Sequence, residues 1–399
     1  MQSSTSASRT IPVGKNATVL LHIDFLVTGI VMTFLGPMLP ILSNRWAIDD
    51  AMAGRLVFTQ FLSSMFGMLS SAPLVQRRGY RLTFIVGLAL MACGMALLAS
   101  GPYWLGVVAV AIFGFGHGIT TPAGNLRTAD VNPERSASAL SVINAVWGLG
   151  AMSSPFLLVI ARGAHHPEWF LYGIASTLLG LLIFFAAADF PASTHTVTIA
   201  NSTMAAGVWE TRMLPMISLL FFTYVGTEQS FGSWVATYAH RVAPENQTFW
   251  TMAPSFFYGA LLFGRVLASL ALRRRRETTV AKAGLTLAVL GAITLVSAHG
   301  SARIAVGAML AGLGLASIFP ISVALLPGWF GEASRRASGV VFASGNMGGA
   351  VLPWTVGVVS THSGSLRTAF FVPLMGALSM LIFYLIRSET RIPTIPLPG

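Results

Sequence analysis

Apolar runs about as long as a bilayer is thick alternate with short polar connections along nearly the whole chain. Twelve can be drawn, at about 17–42, 51–75, 82–100, 103–127, 136–161, 167–189, 211–240, 248–272, 279–298, 301–326, 335–360 and 366–387. Each supplies the roughly 20 residues an α-helix needs to cross ~30 Å of hydrocarbon. The every-second-residue alternation of barrel strands is absent, and Gly and Pro recur inside the runs, as spanning helices tolerate. The pattern predicts an all-helical, polytopic membrane protein.

Composition narrows the class further. Of 399 residues, 24 are Lys or Arg and 13 are Asp or Glu, and the mean hydropathy is +0.72. A soluble domain of this size needs far more polar surface, which argues against a cytosolic enzyme. Disorder is incompatible with so apolar a chain, and a lone cysteine, Cys93, rules out a disulfide scaffold. Residues 1–16 are polar and lead straight into the first run, so no cleavable signal is expected.

The placement of the basic residues gives an orientation. The amino terminus, the even-to-odd connections and the carboxyl terminus hold 18 Lys and Arg, whereas the opposite connections hold 6. The larger group includes Arg77, Arg78, Arg81, Arg265 and Arg273 to Arg276; the smaller is Arg45, Arg55, Arg162, Arg241, Arg303 and Arg367. Positive charge stays on the cytoplasmic side, so both termini are expected there. The run at 273–276 then reads as a topology and lipid-headgroup anchor, not a nucleic-acid patch.

The longest connection, 190–210, is polar and rich in Ser, Thr and Ala. It divides the chain into residues 1–189 and 211–399, with six runs in each. A shift of 200 residues lays Arg135, Ala137, Ser138 and Gly148 on Arg335, Ala337, Ser338 and Gly348. A shift of 197 lays Gly87 and Gly94 on Gly284 and Gly291. Two repeated six-helix bundles facing each other are suited to rocking about a central site.

A chain of this 6+6 form with both ends inside resembles the major facilitator superfamily over essentially its whole length. The loop Gln76-Arg77-Arg78-Gly79-Tyr80-Arg81 is similar to that superfamily's D-R-x-G-R-[RK] loop, with Gln76 in place of the acid. Three further stretches resemble the fucose-permease-like sugar transporters, including sodium-dependent glucose carriers. They are Phe34 to Pro40, Thr227 to Trp234, and Gly348 to Trp354. Gly36 and Thr121 stand where the fucose permease has acids, so its proton sites do not carry over. Asp24 instead resembles the coupling aspartate of the proton-linked sugar porters, whose partnering arginine has only His117 as a nearby polar counterpart. The resemblance implies a major facilitator fold, a functional monomer and a bacterial inner (plasma) membrane.

Two acids, Asp24 and Glu228, lie well inside apolar runs. A carboxylate near mid-bilayer costs at least ~2.5 kcal/mol, so each needs a partner, a proton or a water-filled cavity. Burial favours the neutral form, and a carboxyl poised in that way suits proton coupling. Glu228 suits either coupling or a sugar hydroxyl. Neutral amides within the runs (Gln60, Asn125, Asn144, Gln229 and Asn346) can donate and accept, as sugar hydroxyls require. Aromatic platforms complete such a pocket, with Trp147, Trp234 and Trp354 as candidates. Asn144 and Trp147 share a face of one helix by their i, i+3 spacing.

The expected function is secondary active symport of a neutral sugar with a proton, by alternating access. Sodium-coupled or uncoupled sugar carriage, and export of drugs or lipids, are the alternatives. The stretch Gly148 to Pro155 matches the exporters' G-x-x-x-G-P-x-x-G-G poorly. Anionic substrates are disfavoured because no Lys or Arg is placed mid-membrane, Arg127 being close to one end. A membrane-embedded enzyme would need a nucleophile–base pair or a metal cluster, but Cys93 has no nearby base and the histidines show no ligand spacing except the loop pair His165-His166. No cofactor, metal site or catalytic residue is expected.

Overall fold

A computed structural model describes residues 15–187, 213–330 and 334–387. The connection 190–210 lies outside the described residues. Helices account for all of the regular structure described, and they make twelve passes.

The first pass is two helices, Lys15–Thr33 and Leu35–Trp46, bent by 42°. Pro37 cannot donate to the carbonyl of Thr33, so the ladder is interrupted where the bend falls. The second and third passes form one helical run, Asp50–Ser100, broken at Gly79 (φ 77, ψ 171). Only glycine takes that backbone conformation without strain, which lets the Gln76–Arg81 loop reverse the chain in a single step. Asp49 starts the run by accepting a bond from the Met52 amide at 2.7 Å.

Tyr103–Val131, Ser136–Gly163 and Glu168–Ala187 complete the first half. In the second half Met213–Val242, Gln247–Leu272 and Glu277–Val296 are the seventh to ninth passes. The tenth is split into Ser301–Leu315 and Ile318–Phe330; the eleventh is Ser334–Ser363; Leu366–Ala369 and Phe371–Arg387 make the twelfth. Eight of these helices are long and apolar enough to cross a membrane, and the bent first pass adds a ninth. The seventh and eleventh passes are not among them. They carry more polar residues because they line the seam between the halves rather than face lipid.

The glycines that repeat along the sequence make equivalent contacts in the two halves. A methyl on Gly94 would lie 2.7 Å from the Phe113 amide of the fourth pass, and one on Gly291 would lie 2.8 Å from the Gly307 carbonyl of the tenth. Gly87 and Gly284, two turns earlier, press on Gly116 and Gly314 in the same two passes. Helices in lipid associate through such close backbone approach, since hydrocarbon supplies no hydrophobic drive between them. The third-on-fourth and ninth-on-tenth pairings are therefore the same joint built twice.

The halves meet along three pairs of passes: first with seventh, second with eleventh, and fifth with eighth. A methyl on Gly36 would lie 3.2 Å from Ser233 Cα, one on Gly54 3.2 Å from Trp354 Cα, and one on Gly148 3.1 Å from Leu262 Cδ1. We call the side on which the first pass begins the terminal face, and the opposite side the far face.

Candidate functional site

At the far face the seam is latched by polar side chains. Arg241, at the end of the seventh pass, places Nη2 2.6 Å from Asp50 Oδ1 at the start of the second. Ser360 of the eleventh donates to the other carboxylate oxygen of Asp50. The Ala51 amide donates to Thr361 Oγ1 at 2.9 Å. On the other flank Arg162 of the fifth pass donates to Thr251 Oγ1 (2.7 Å) and Gln247 Oε1 (2.9 Å) of the eighth, and stands 4.2 Å over the Trp250 ring. These groups and their neighbours line a vestibule of about 1080 Å³ open at that face.

Contact between the halves continues to about mid-depth. A methyl on Gly349 would lie 2.6 Å from Phe61 Cδ1, and Met152 Sδ would lie 3.2 Å from one on Gly259. Ser255 donates to the Met152 carbonyl at 2.9 Å. One turn nearer the terminal face the fifth pass changes character. Asn144 shares the face of Gly148 by its i, i+4 spacing, yet it is exposed. It donates to Asn125 Oδ1 of the fourth pass at 3.2 Å. The face that touches the second half at Gly148 is thus uncovered at Asn144.

The candidate residues fall into three groups. Asn125, Asn144 and Trp147 lie together on the first-half wall, with Trp147 half-buried and its carbonyl against Gly29. Across the seam, Glu228 and Gln229 lie on the seventh pass and Asn346 on the eleventh, where Asn346 donates to the Phe342 carbonyl at 3.1 Å. Gln60 is buried and donates to the Met32 carbonyl at 2.8 Å, tying the second pass to the first. Trp234 is wholly buried, its indole N–H donating to the Pro353 carbonyl at 2.8 Å. Trp354 packs against Phe58, ring centroids 5.7 Å apart, and borders a separate pocket of about 520 Å³ with Arg55 and Trp104. The structure does not bring these last two to the Asn144 cluster.

Neither membrane-depth acid faces lipid. Asp24 has 0% exposure, and neither of its carboxyl oxygens has a hydrogen-bond partner. His117 is bonded to Ser64 (3.4 Å) and Thr121 (3.2 Å), not to Asp24. Glu228 is buried, and Oε2 accepts from the Tyr224 hydroxyl. Oε1 faces Gln229 Nε2 at 3.5 Å.

The charge count groups Arg265 with a connection and expects no Lys or Arg at mid-membrane, whereas Arg265 lies inside the eighth pass, seven residues before Leu272, roughly 10 Å of helix. Its Nη2 is 3.9 Å from Glu228 Oε2. A guanidinium therefore does stand at membrane depth, matched by a carboxylate. Tyr224 had a legible signal, its i, i+4 spacing to Glu228. Asp50, Arg162 and Arg241 had none, because their partners lie across the seam. Among the described residues no three His, Cys, Asp or Glu side chains converge as metal ligands would.

Twelve passes in two like halves, a seam closed at one face and amides at mid-depth define a membrane carrier rather than an enzyme. Residues 23–306 match the Major Facilitator Superfamily, and the chain belongs to that family. It is similar to the glucose/galactose transporter of Brucella abortus, 24% identical over 94% of each chain. It is also similar to the glucose/mannose transporter GlcP of Bacillus subtilis, 22% identical over 84% of this chain and 85% of that one. Among solved structures, nucleoside transporter NupG superposes with a TM-score of 0.76 at 11% identity, covering 94% of this chain and 99% of that one. The D-xylose-proton symporter gives 0.74 at 14% identity, covering 92% of this chain and 96% of that one. The fucose:proton symporter FucP of E. coli gives 0.62 at 20% identity, covering 94% and 99%. At these identities the likeness to the solved structures is one of fold.

Proposed function

We propose that the chain is a secondary active carrier of a neutral sugar, a monosaccharide, working by alternating access in symport with a proton. The observation that carries this reading is the state of the seam. It is latched by Asp50, Arg241 and Ser360 at one face, while Asn144 is uncovered on the opposite side of mid-depth. Such an arrangement is one end point of a rocking motion about a central site.

The amides Asn125, Asn144, Gln229, Asn346 and Gln60, with Trp147, supply the paired donors and acceptors a sugar needs. Trp234, holding the Pro353 carbonyl, and Trp354, packed on Phe58, stand nearer the far face and outside that cluster. The curated relatives named for glucose with galactose or mannose support an aldohexose. Asp24 is assigned the coupling proton, with Glu228 as the other candidate. Its lack of any partner supports this, since a carboxyl alone at this depth is tolerated far better when protonated.

Residues 1–189 and 211–399 are the two rocking bodies, joined by a cytoplasmic connection at 190–210. With both termini cytoplasmic in a bacterial inner (plasma) membrane, the vestibule opens outward and the structure is closed to the outside. The working unit is a monomer.

The test is flux into proteoliposomes holding the purified chain, with radiolabelled hexoses, pentoses, disaccharides and nucleosides. Saturable uptake of one or more monosaccharides is expected. Uptake confined to nucleosides, or no flux of any sugar, would overturn the sugar assignment.

A further inference from the structure

Arg265 has more hydrogen-bonding capacity than its surroundings use. Its Nη2 lies 3.9 Å from Glu228 Oε2, near the outer limit of an ion pair, and its Nε is buried without a hydrogen-bond partner. Arg–carboxylate pairs frequently close into a two-bond fork at about 2.7–2.9 Å, and this pair does not. Here Oε2 is already taken by the Tyr224 hydroxyl, and Oε1 has only a 3.5 Å contact with Gln229. The guanidinium also meets the Tyr224 hydroxyl, which leaves further N–H donors on Arg265 and acceptor capacity on the carboxylate beside it.

The pair also stands in the right place. Tyr258 and Arg265, seven residues apart, share a face of the eighth pass, and Tyr258 presses on Gly232 of the seventh, four residues beyond Glu228. Leu262, one turn before Arg265, meets Gly148 of the fifth pass. The fifth and eighth passes run antiparallel across the seam, as the Met152–Gly259 and Gly148–Leu262 contacts require. The turn holding Arg265 therefore lies opposite the turn holding the exposed Asn144. The Arg265 side chain is 26% exposed, whereas that of Glu228 is 7%.

We infer that Arg265 and Glu228 form a clamp for two neighbouring hydroxyl groups of a neutral sugar, resting on the carrier reading above. One hydroxyl donates to Glu228 Oε1; the next accepts from a terminal N–H of the part-exposed Arg265 guanidinium that Tyr224 does not use. Tyr224 fixes the carboxylate between them. The pair is charge-matched, so an added carboxylate on the ligand would meet Glu228 unfavourably, and the clamp selects a diol over a sugar acid.

Calorimetric titration of the purified full-length chain tests this, using D-glucose, its monodeoxy analogues and D-glucuronate. Arg265→Gln and Glu228→Gln are each expected to weaken glucose binding roughly 10- to 100-fold, the loss of one charged hydrogen bond. A deoxy analogue lacking a clamped hydroxyl should bind wild type weakly and lose little more in the variant, because the two changes remove one interaction. Arg265→Lys, which keeps the charge without the fork, should fall between and serves if Arg265→Gln does not fold. Wild-type affinity for glucose in both Arg265 variants, or strictly additive losses, would overturn the clamp. Tighter binding of glucuronate than of glucose would overturn its preference for a neutral ligand. If wild type binds none of the sugars, the carrier reading fails first, and that result is seen without any variant.

Discussion

The far-face latch makes a prediction whose size can be worked out. Arg241 Nη2 is 2.6 Å from Asp50 Oδ1, with the arginine side chain 43% exposed and the aspartate 9%. A hydrogen bond to a buried charge contributes about 1.5–3 kcal/mol, whereas a fully exposed pair contributes about 0–1. With one partner nearly buried and the other almost half in water, the pair should stabilise the latched state by about 1–2 kcal/mol. Asp50→Asn keeps the shape and the neighbours but removes the charge, so the balance of latched to unlatched molecules should fall roughly 5- to 30-fold. Thr237 is buried at 5% exposure and lines the vestibule, so a cysteine there reports opening. In a background where exposed Cys93 is replaced by serine, maleimide should label Thr237→Cys 5- to 30-fold faster when Asp50→Asn is added. Arg241→Gln should give a similar rise, and the double variant no more than either alone. Unchanged labelling, or effects that add in the double variant, would refute the idea that this pair holds the halves together.

Two other expectations follow from the same seam. Gly36→Leu would drive a side chain into the Gly232–Ser233 backbone of the opposite half; helical content should survive while hexose flux stops and vestibule labelling rises, whereas normal flux would show that the first and seventh passes need not close. Asn144→Ala and Asn125→Ala should each raise the sugar dissociation constant about 10-fold if the pair touches ligand. If the pair is only interhelical glue worth ~0.6 kcal/mol, calorimetry should find affinity unchanged and only the melting temperature lowered.

Much of the architecture was legible because membrane helices announce themselves by length and apolarity. The twelve runs and the turn at Gly79 correspond to the helices closely, and the Gly87/Gly284 and Gly94/Gly291 matches correspond to real, equivalent joints. The bend in the first pass was foreshadowed by Pro37 but not located, since a proline fixes a missing bond, not an angle. The break in the tenth pass, at 316–317, falls where Pro320 cannot donate to the Ala316 carbonyl, the same relation Pro37 bears to Thr33, and it too is a missing bond that the apolar pattern does not mark.

The site was legible only where one residue contradicts its own surroundings. Asp24 and Glu228 are acids in hydrocarbon, and both are buried in the bundle. Arg265 contradicts its surroundings equally, but among the basic residues that set orientation it reads as one more cytoplasmic charge, and nothing in the sequence pairs it with Glu228. Asp50 and Arg241 are 191 residues apart. Each reads alone as an ordinary charge at a helix end, and only the packing of the two halves makes them partners.

Proton movement driven by sugar tests the central claim most directly. Proteoliposomes carrying the wild-type chain and an internal pH dye should acidify when an aldohexose is added outside. Those carrying Asp24→Asn should still exchange hexose across the membrane with no pH change. Hexose-driven acidification that persists in Asp24→Asn would contradict the assignment of the proton to Asp24, and its absence in wild type would contradict symport itself.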